Sequence, residues 1–151
     1  MESCQTKEFG VIDYEESAVV HFPEGLPAFE AETRFLLIEQ ASTAPVVFLQ
    51  SLTTPHLMFL ALPPRAVDPD FRLELCAEEC RVLGVSGEPE PVEGVDYVAL
   101  ALLTVREGAR ATANLLAPVV IGSQSRRALQ VIQSQSRYRT DQPLPGVPAP
   151  C

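Results

Sequence analysis

The residues with the clearest capacity for proton transfer lie close together in the segment HFPEGLPAFE, at positions 21 to 30. His21 with Glu24 would form an acid–base pair, and Glu24 with Glu30 would form the paired carboxylates of a small hydrolase or metal-dependent enzyme. Such chemistry also needs an activated nucleophile or a cofactor cradle, and the chain has no Gly-x-Ser-x-Gly string and no glycine-rich phosphate loop. The sequence therefore predicts no catalytic residue, and an enzyme that uses these three side chains stays as the alternative hypothesis.

The cysteines are the other residues that could do chemistry. They are Cys4, Cys76, Cys80 and Cys151. Two lie near the chain ends and the inner pair has Cys-x3-Cys spacing, which is not the spacing of a disulfide framework or a common zinc motif. A zinc site would need two further ligands, and the chain has only two histidines, His21 and His56. We expect reduced thiols, no bound metal and no cofactor.

The charge of the chain limits which partners it can bind. Its net charge is −9, and residues 1–105 carry 18 acidic and 5 basic side chains. A nucleic-acid binder shows a basic footprint instead, whereas an acidic surface favours a basic protein partner or simply keeps the protein in solution. The longest apolar run covers nine residues, 97–105, and is too short to span a membrane. With no secretory signal at its start, we expect a soluble cytoplasmic protein that binds neither nucleic acid nor membrane directly.

Short apolar runs separated by turn residues are the main structural signal, and they predict strands. The predicted strands cover residues 9–14, 18–22, 34–39, 46–51, 57–62, 96–105, 111–121 and 128–132. The first two are expected to form a hairpin. Residues 77–84 predict one short helix, with acidic residues in its first turn and Gly84 as its C-terminal cap. The pattern indicates an all-β, single-domain, β-barrel-like fold of short antiparallel strands over residues 1–139. Residues 140–151, rich in proline, are predicted to form a disordered tail.

The segment HFPEGLPAFE has the composition of a rigid turn. Pro23 and Pro27 each fix a backbone angle, and Gly25 between them permits a positive φ. Its apolar side chains, Phe22, Leu26 and Phe29, are expected to anchor the turn or to present it to a partner. At least one of them is expected to fill the end of the barrel. A preorganised loop also binds a partner at little ordering cost, so a recognition surface is the other interpretation of the segment.

A second unusual string is TANLLAPVVI at residues 112–121. Asn114 interrupts an apolar stretch, and Pro118 cannot donate a hydrogen bond within a central strand. We predict a bulge or an edge here, with Asn114 bonded to neighbouring backbone groups.

Together these strings resemble the flagellar assembly factor FliW family. The matching segments are TKEFG at 6–10, FPEGLPAFE at 22–30 with Arg34-Phe35, FLQS at 48–51, TANLLAPVVI at 112–121 and SRRALQV at 125–131. Three positions depart from the family pattern: Ala28 stands where glycine is usual, Phe48 where tryptophan is common, and Gly122 where asparagine is common.

The resemblance implies a non-enzymatic β-barrel-like protein that is monomeric when free. It implies two protein partners, flagellin and the RNA-binding translational regulator CsrA, whose repression of flagellin translation the family relieves. The candidate partner-binding residues are Phe22, Glu24, Leu26, Phe29, Gln50, Asn114 and Leu115, and the turn-shaping residues are Pro23, Gly25, Pro27 and Pro118. A protein–protein regulator is thus the first hypothesis, and the small hydrolase or metal-dependent enzyme is the second.

Overall fold

The computed structural model describes residues 1–133 and 137–145 and is built mostly of β-strands. The strands are β1 (Glu2–Thr6), β2 (Gly10–Tyr14), β3 (Val20–His21), β4 (Arg34–Glu39), β5 (Val47–Ser51), β6 (Met58–Leu62), β7 (Tyr97–Thr104), β8 (Thr112–Ala113), β9 (Val119–Gly122), β10 (Ala128–Gln130) and β11 (Gln142–Pro143). Two helices, α1 (Pro64–Val67) and α2 (Ala77–Leu83), and two 3-10 turns at Glu16–Ala18 and Ala41–Thr43 complete it. The all-β prediction is confirmed. Within the described ranges, no helix is long and apolar enough to cross a membrane.

The strands form a hairpin and one large antiparallel sheet. In the hairpin β1 pairs with β2, and in the sheet the order is β10-β9-β7-β6-β5-β4-β3, with β8 joining β7 to β11. The two edge strands approach each other at one parallel bridge between His21 and Arg127, where the His21 backbone N–H donates to the Arg126 carbonyl at 2.8 Å. The sheet therefore curls back on itself without closing into a barrel.

The core lies inside this curled sheet, because the strands alternate apolar side chains toward it. Val20, Phe35, Leu49, Leu100 and Ile121 come from five different strands and belong to one buried cluster. Strand β5 is buried on both faces. Its outer face is covered by the β1–β2 hairpin, since the ring of Phe9 packs edge-on against Phe48 with centroids 5.3 Å apart.

Helix α2 matches the prediction closely because its ends are specified locally. The Cys76 backbone N–H donates to the Glu79 carboxylate at 2.8 Å, which caps the first turn. Gly84 ends the helix with φ +68°, a left-handed conformation that glycine adopts without strain. Leu83 is fully buried on the outer side of the sheet with Val120. The four-residue helix α1, which the sequence did not predict, begins at Pro64, where proline needs no N–H partner.

The predicted first hairpin is wrong. Strand β2 pairs with β1, not with the chain near residues 18–22, and β3 pairs with β4 instead. A tight turn causes this: the Thr6 hydroxyl accepts from the Phe9 N–H at 2.9 Å and donates to the Gly10 carbonyl at 2.7 Å. Gly10 itself has φ +67°, which suits a glycine in such a turn.

The strand predicted over residues 111–121 is divided into β8 and β9. The five residues between them, 114–118, leave the sheet, which agrees with the interruption that Asn114 and Pro118 indicated. The chain also stays folded past the predicted start of the tail at Thr140. Gln142 and Pro143 pair with β8, and Leu144 packs against an apolar cluster. The remainder of the predicted tail, residues 146–151, lies outside the described residues.

Candidate functional site

Residues 22–32, which we call the recognition loop, form a rigid double turn between β3 and β4. The Phe22 backbone N–H donates to the Thr33 carbonyl at 2.8 Å, and the Gly25 N–H donates to the Phe22 carbonyl at 2.9 Å. Leu26 and Phe29 then exchange backbone hydrogen bonds of 3.3 and 2.7 Å. These bonds satisfy the backbone within the loop itself, so its shape is fixed before any partner arrives.

Two positions in the loop have left-handed backbone conformations. Gly25 has φ +67°, and a Cβ placed there would lie 2.4 Å from the Glu30 carbonyl oxygen. Glycine is therefore required at this position both by conformation and by space. Ala28 has φ +71°, a left-handed conformation that an L-residue with a Cβ adopts only with strain. The proline pair Pro23 and Pro27 is exposed on either side.

The apolar side chains of the loop divide into buried anchors and one exposed ring. Phe22 is fully buried and packs edge-on against Phe35, with ring centroids 5.3 Å apart, and Leu26 is also buried. Phe29 is 40% exposed, although one edge of its ring rests on Phe59 at a centroid distance of 5.6 Å. Phe29 therefore offers an aromatic surface that is held in place from below.

A carboxylate fastens the loop to the turn that joins β5 and β6. Glu32 accepts hydrogen bonds from the hydroxyls of Ser51 and Thr54, the latter at 2.7 Å. The Ser51 hydroxyl oxygen also accepts from the backbone N–H groups of Thr53 at 3.0 Å and Thr54 at 2.9 Å. Sequence reasoning missed Glu32. The signal that could have found it is the serine in the string FLQS, because a buried serine at a strand end needs a partner.

Gln50 organises the same turn from inside the protein. Its side-chain amide is fully buried and donates to three carbonyls, those of Ser51 at 3.0 Å, Pro55 at 3.2 Å and Leu57 at 3.3 Å. Its Oε1 atom has no partner within the described part of the chain. The side chain thus shapes the turn and does not reach the surface.

Asn114 and Leu115 lie in a different part of the molecule from the recognition loop. The Asn114 Oδ1 atom accepts from the Ala117 backbone N–H at 2.9 Å, the backbone role that the sequence predicted. Leu115 is buried in an apolar cluster with Phe71, separate from the cluster that holds Phe22. The structure therefore does not bring these residues together with the loop.

The enzyme hypothesis rests on the side chains of His21, Glu24 and Glu30. In the described ranges, His21, Glu24 and Glu30 share no hydrogen bond with one another, and Glu24 and Glu30 project from the exposed part of the loop. No three His, Cys, Asp or Glu side chains of the same ranges are grouped to hold a metal. Burial, and to a lesser degree the neighbouring Cys76, raises the pKa of the Cys80 thiol, which favours its protonated form.

Comparison with known proteins identifies the family. The family model described as "FliW protein" matches residues 3–144. The chain belongs to the FliW family. A crystal structure titled as that of the flagellar assembly factor FliW superposes with a TM-score of 0.83 at 32% identity, covering 94% of this chain and 96% of that one.

Curated FliW relatives align over nearly the whole chain. The flagellar assembly factor FliW of Syntrophomonas wolfei is 36% identical over 136 residues, which is 89% of this chain and 83% of that protein. The FliW of Heliobacterium modesticaldum is also 36% identical, over 90% of this chain and 86% of its own. That of Bacillus licheniformis is 33% identical, over 94% and 96%. Membership of the FliW family makes this chain a flagellar assembly factor.

The predicted partner-binding residues lie only partly on the surface. Phe22, Leu26, Gln50 and Leu115 are buried, and Asn114 is half-buried. Glu24 and Phe29 are exposed. Their partner-binding role stays a prediction, and these two residues are the ones that a partner can reach in the free protein.

Proposed function

We propose that this FliW-family protein is a non-enzymatic regulator that binds flagellin and antagonises the translational regulator CsrA in the cytoplasm. In this role it is a monomer when free, and the amount of flagellin sets how much of it is available to CsrA. The match to the FliW family over residues 3–144 is the observation that carries the proposal.

The recognition loop is the surface that we assign to partner binding. Interface hot spots are enriched in aromatic side chains held in a fixed position, and Phe29 is such a side chain. Exposed carboxylates flank it, since Glu24 and Glu30 belong to the same loop. Because the loop is already ordered by its own hydrogen bonds, binding through Phe29 loses little conformational entropy.

The charge of the protein supports a basic partner such as an RNA-binding regulator. Residues 1–105 carry 18 acidic and 5 basic side chains, and this region includes the recognition loop. Opposite charges accelerate the encounter of two proteins, and added salt removes the acceleration. We therefore expect the association rate with CsrA to fall as NaCl is raised, whereas a rate that does not change with salt would remove the electrostatic part of the proposal.

The test is titration of the purified protein with flagellin and with CsrA from the same organism, by isothermal calorimetry. Phe29→Ala is expected to weaken at least one of the two complexes by about tenfold, the loss of a small hot spot. Val98→Ala is the matched control, because Val98 is 39% exposed, nearly the same as Phe29, but belongs to β7 and not to the loop.

Two results would contradict the proposal at different levels. If neither partner binds at micromolar concentration, the regulatory function itself is wrong for this chain. If both bind and Phe29→Ala behaves like Val98→Ala, the function stands but the recognition loop is not the surface that carries it. The melting temperature of each variant is measured first, so that loss of folding is not mistaken for loss of binding.

A further inference from the structure

One edge of β4 is left open along most of the strand. On one side β4 pairs with β5 from Phe35 to Glu39. On the other side β3 pairs with it at only two positions, Arg34 and Phe35. The chain before β3 turns away into the 3-10 turn Glu16–Ala18, so in the described structure no strand is hydrogen-bonded to this edge of β4 beyond Phe35.

The alternation of an antiparallel ladder shows which backbone groups this edge presents. The Arg34 carbonyl accepts from the Leu52 N–H at 3.0 Å, so Arg34 directs its backbone groups toward the β5 side. Residues at odd positions of β4 therefore point the other way, as Thr33 does when it accepts from Phe22. Leu37 and Glu39 thus offer N–H donors and carbonyl acceptors to the open side, where the described chain supplies no partner strand.

A groove of about 740 Å³ runs along this open edge, between β2 and β4. Its lining includes residues 36–40 of β4 and, on the opposite wall, Ile12 and Tyr14. Leu36 and Ile38 contribute the apolar side chains on the β4 side. An extended peptide in this groove would contact apolar side chains with one face while its backbone meets the unpaired groups of β4.

The groove has the charge to select a basic occupant. Three carboxylates line it, those of Glu8, Asp13 and Glu39, and no lysine or arginine is among the described residues of the lining. The nearest basic residue on the strand, Arg34, is engaged by Glu16 at 2.7 Å. Arg126 lies at the Ala18 end of the groove, where its guanidinium donates to the Ala18 carbonyl at 3.0 Å. Positive side chains on the incoming segment would therefore meet negative charge nearer Glu39 and Asp13.

We propose that the open edge of β4 accepts an extended, basic segment of a partner protein as an added β-strand. The added strand directs its apolar side chains toward Ile12, Tyr14 and Ile38. Its lysine or arginine side chains lie on the opposite face, on the same side of the sheet as Glu39. This surface is separate from the recognition loop. The inference goes beyond the proposed function, because it holds or fails whether or not flagellin or CsrA is the partner.

The test uses a synthetic probe, the acetylated and amidated heptapeptide Lys-Val-Lys-Val-Lys-Val-Lys, titrated into the ¹⁵N-labelled full-length protein. Addition of a strand is expected to shift the amide resonances of Leu37 and Glu39 most, together with those of Ile12 and Tyr14. It should also slow hydrogen exchange at the Leu37 and Glu39 amides, which simple charge attraction does not do. Shifts that map to other surfaces, or no shifts at millimolar peptide, overturn the proposal.

Matched variants separate backbone pairing from charge. Glu39→Gln removes the negative charge and keeps the backbone N–H donor. Glu39→Pro removes both the charge and the N–H donor. The Glu39 N–H faces away from β5, so this proline does not break the β4–β5 ladder. We expect Glu39→Pro to bind the peptide at least about tenfold more weakly than Glu39→Gln, because a ladder hydrogen bond is lost and the ring obstructs its neighbour. Equal affinities of the two variants contradict strand addition.

A control on the peptide covers the case in which Glu39→Pro fails to fold. The same heptapeptide N-methylated at alternate residues keeps its charge and side chains but loses the N–H donors along one of its two edges. Two such peptides are used, one methylated at the odd and one at the even positions, so that either edge of the peptide is tested. At least one of them should lose binding to the unaltered protein. If both bind as well as the parent peptide, the contact is electrostatic only and the proposed strand addition is wrong.

Discussion

Gly25 gives the sharpest test of how the recognition loop is held. Its φ is +67°, and a Cβ at this position would lie 2.4 Å from the carbonyl oxygen and 2.5 Å from the Cα atom of Glu30. Both are backbone atoms that cannot rotate aside. A non-glycine residue in the left-handed conformation costs about 1–2 kcal/mol, and forcing a backbone shift in a packed region costs about 1–3 kcal/mol. Gly25→Ala should therefore lower the free energy of unfolding by about 2–5 kcal/mol.

Gly10→Ala is the matched control for this substitution. Gly10 has the same φ of +67°, but a Cβ there would have no atom within 4 Å. It reports the conformational cost alone, about 1–2 kcal/mol. The difference between the two variants measures the collision with Glu30, and it is obtained from urea titrations followed by far-ultraviolet circular dichroism, since the chain has no tryptophan.

If the two variants are equally stable within about 0.5 kcal/mol, the close approach of residues 25 and 30 has no energetic consequence, and the predicted collision is wrong. In thermal scans each kcal/mol should shift the melting temperature by about 2–4 °C for a chain of this size. Gly25→Ala should also weaken whichever partner uses Phe29, since the two residues lie in the same double turn. Gly10→Ala should leave that affinity unchanged.

Three further predictions concern residues around the loop and helix α2. Glu32→Ala should lower the free energy of unfolding by about 1.5–3 kcal/mol, because the charge-assisted hydrogen bonds to the Glu32 carboxylate are lost. Glu30→Ala is the control, since Glu30 is exposed, and it should change the free energy of unfolding very little in the same urea titration. Ala28→Gly should raise the melting temperature, since φ +71° suits glycine and the strain removed is about 1 kcal/mol. Burial raises the pKa of the Cys80 thiol above its ordinary 9.0 and that of the Tyr97 hydroxyl above 10.0. Both groups hold their protons more tightly in the folded state than in the unfolded state. The free energy of unfolding should therefore be unaffected by these groups below about pH 9 and should decline as the pH rises above it. Tyr97→Phe should reduce this decline when urea titrations are repeated at several pH values.

The parts of the fold that local sequence determines were predictable. Helix α2 is specified by the acidic first turn and by Gly84, all within eight residues, and the structure places both ends where the sequence did. Strand β4 was predicted with its observed ends because an apolar run between turn residues defines it. Strand β1, by contrast, has the polar sequence ESCQT, without a hydrophobic period, and only its pairing with β2 makes it a strand.

The parts of the site that depend on register were not predictable. Glu32 meets Ser51 only because Phe35 pairs with Ser51 across the β4–β5 ladder, and a shift of one residue would turn Ser51 to the other face. Burial was equally hidden, since Phe22 and Phe29 have the same side chain in one short segment. One fills the core and the other is 40% exposed, because the turn at Gly25 reverses the chain between them.

The two surfaces that we propose for partners are attached to opposite ends of one strand. The recognition loop enters β4 at Arg34, and the groove lies along residues 36–40. A strand rises about 3.4 Å per residue, so the centre of the open edge lies more than about 10 Å along β4 from the end of the loop. Both surfaces are positioned by the same ladder with β5, which is continuous from Phe35 to Glu39. We therefore expect binding at the loop and binding at the groove to be independent, so that Phe29→Ala leaves the affinity for the basic heptapeptide unchanged. A measured coupling between them would mean that one partner segment spans both surfaces or that the β4–β5 register can shift.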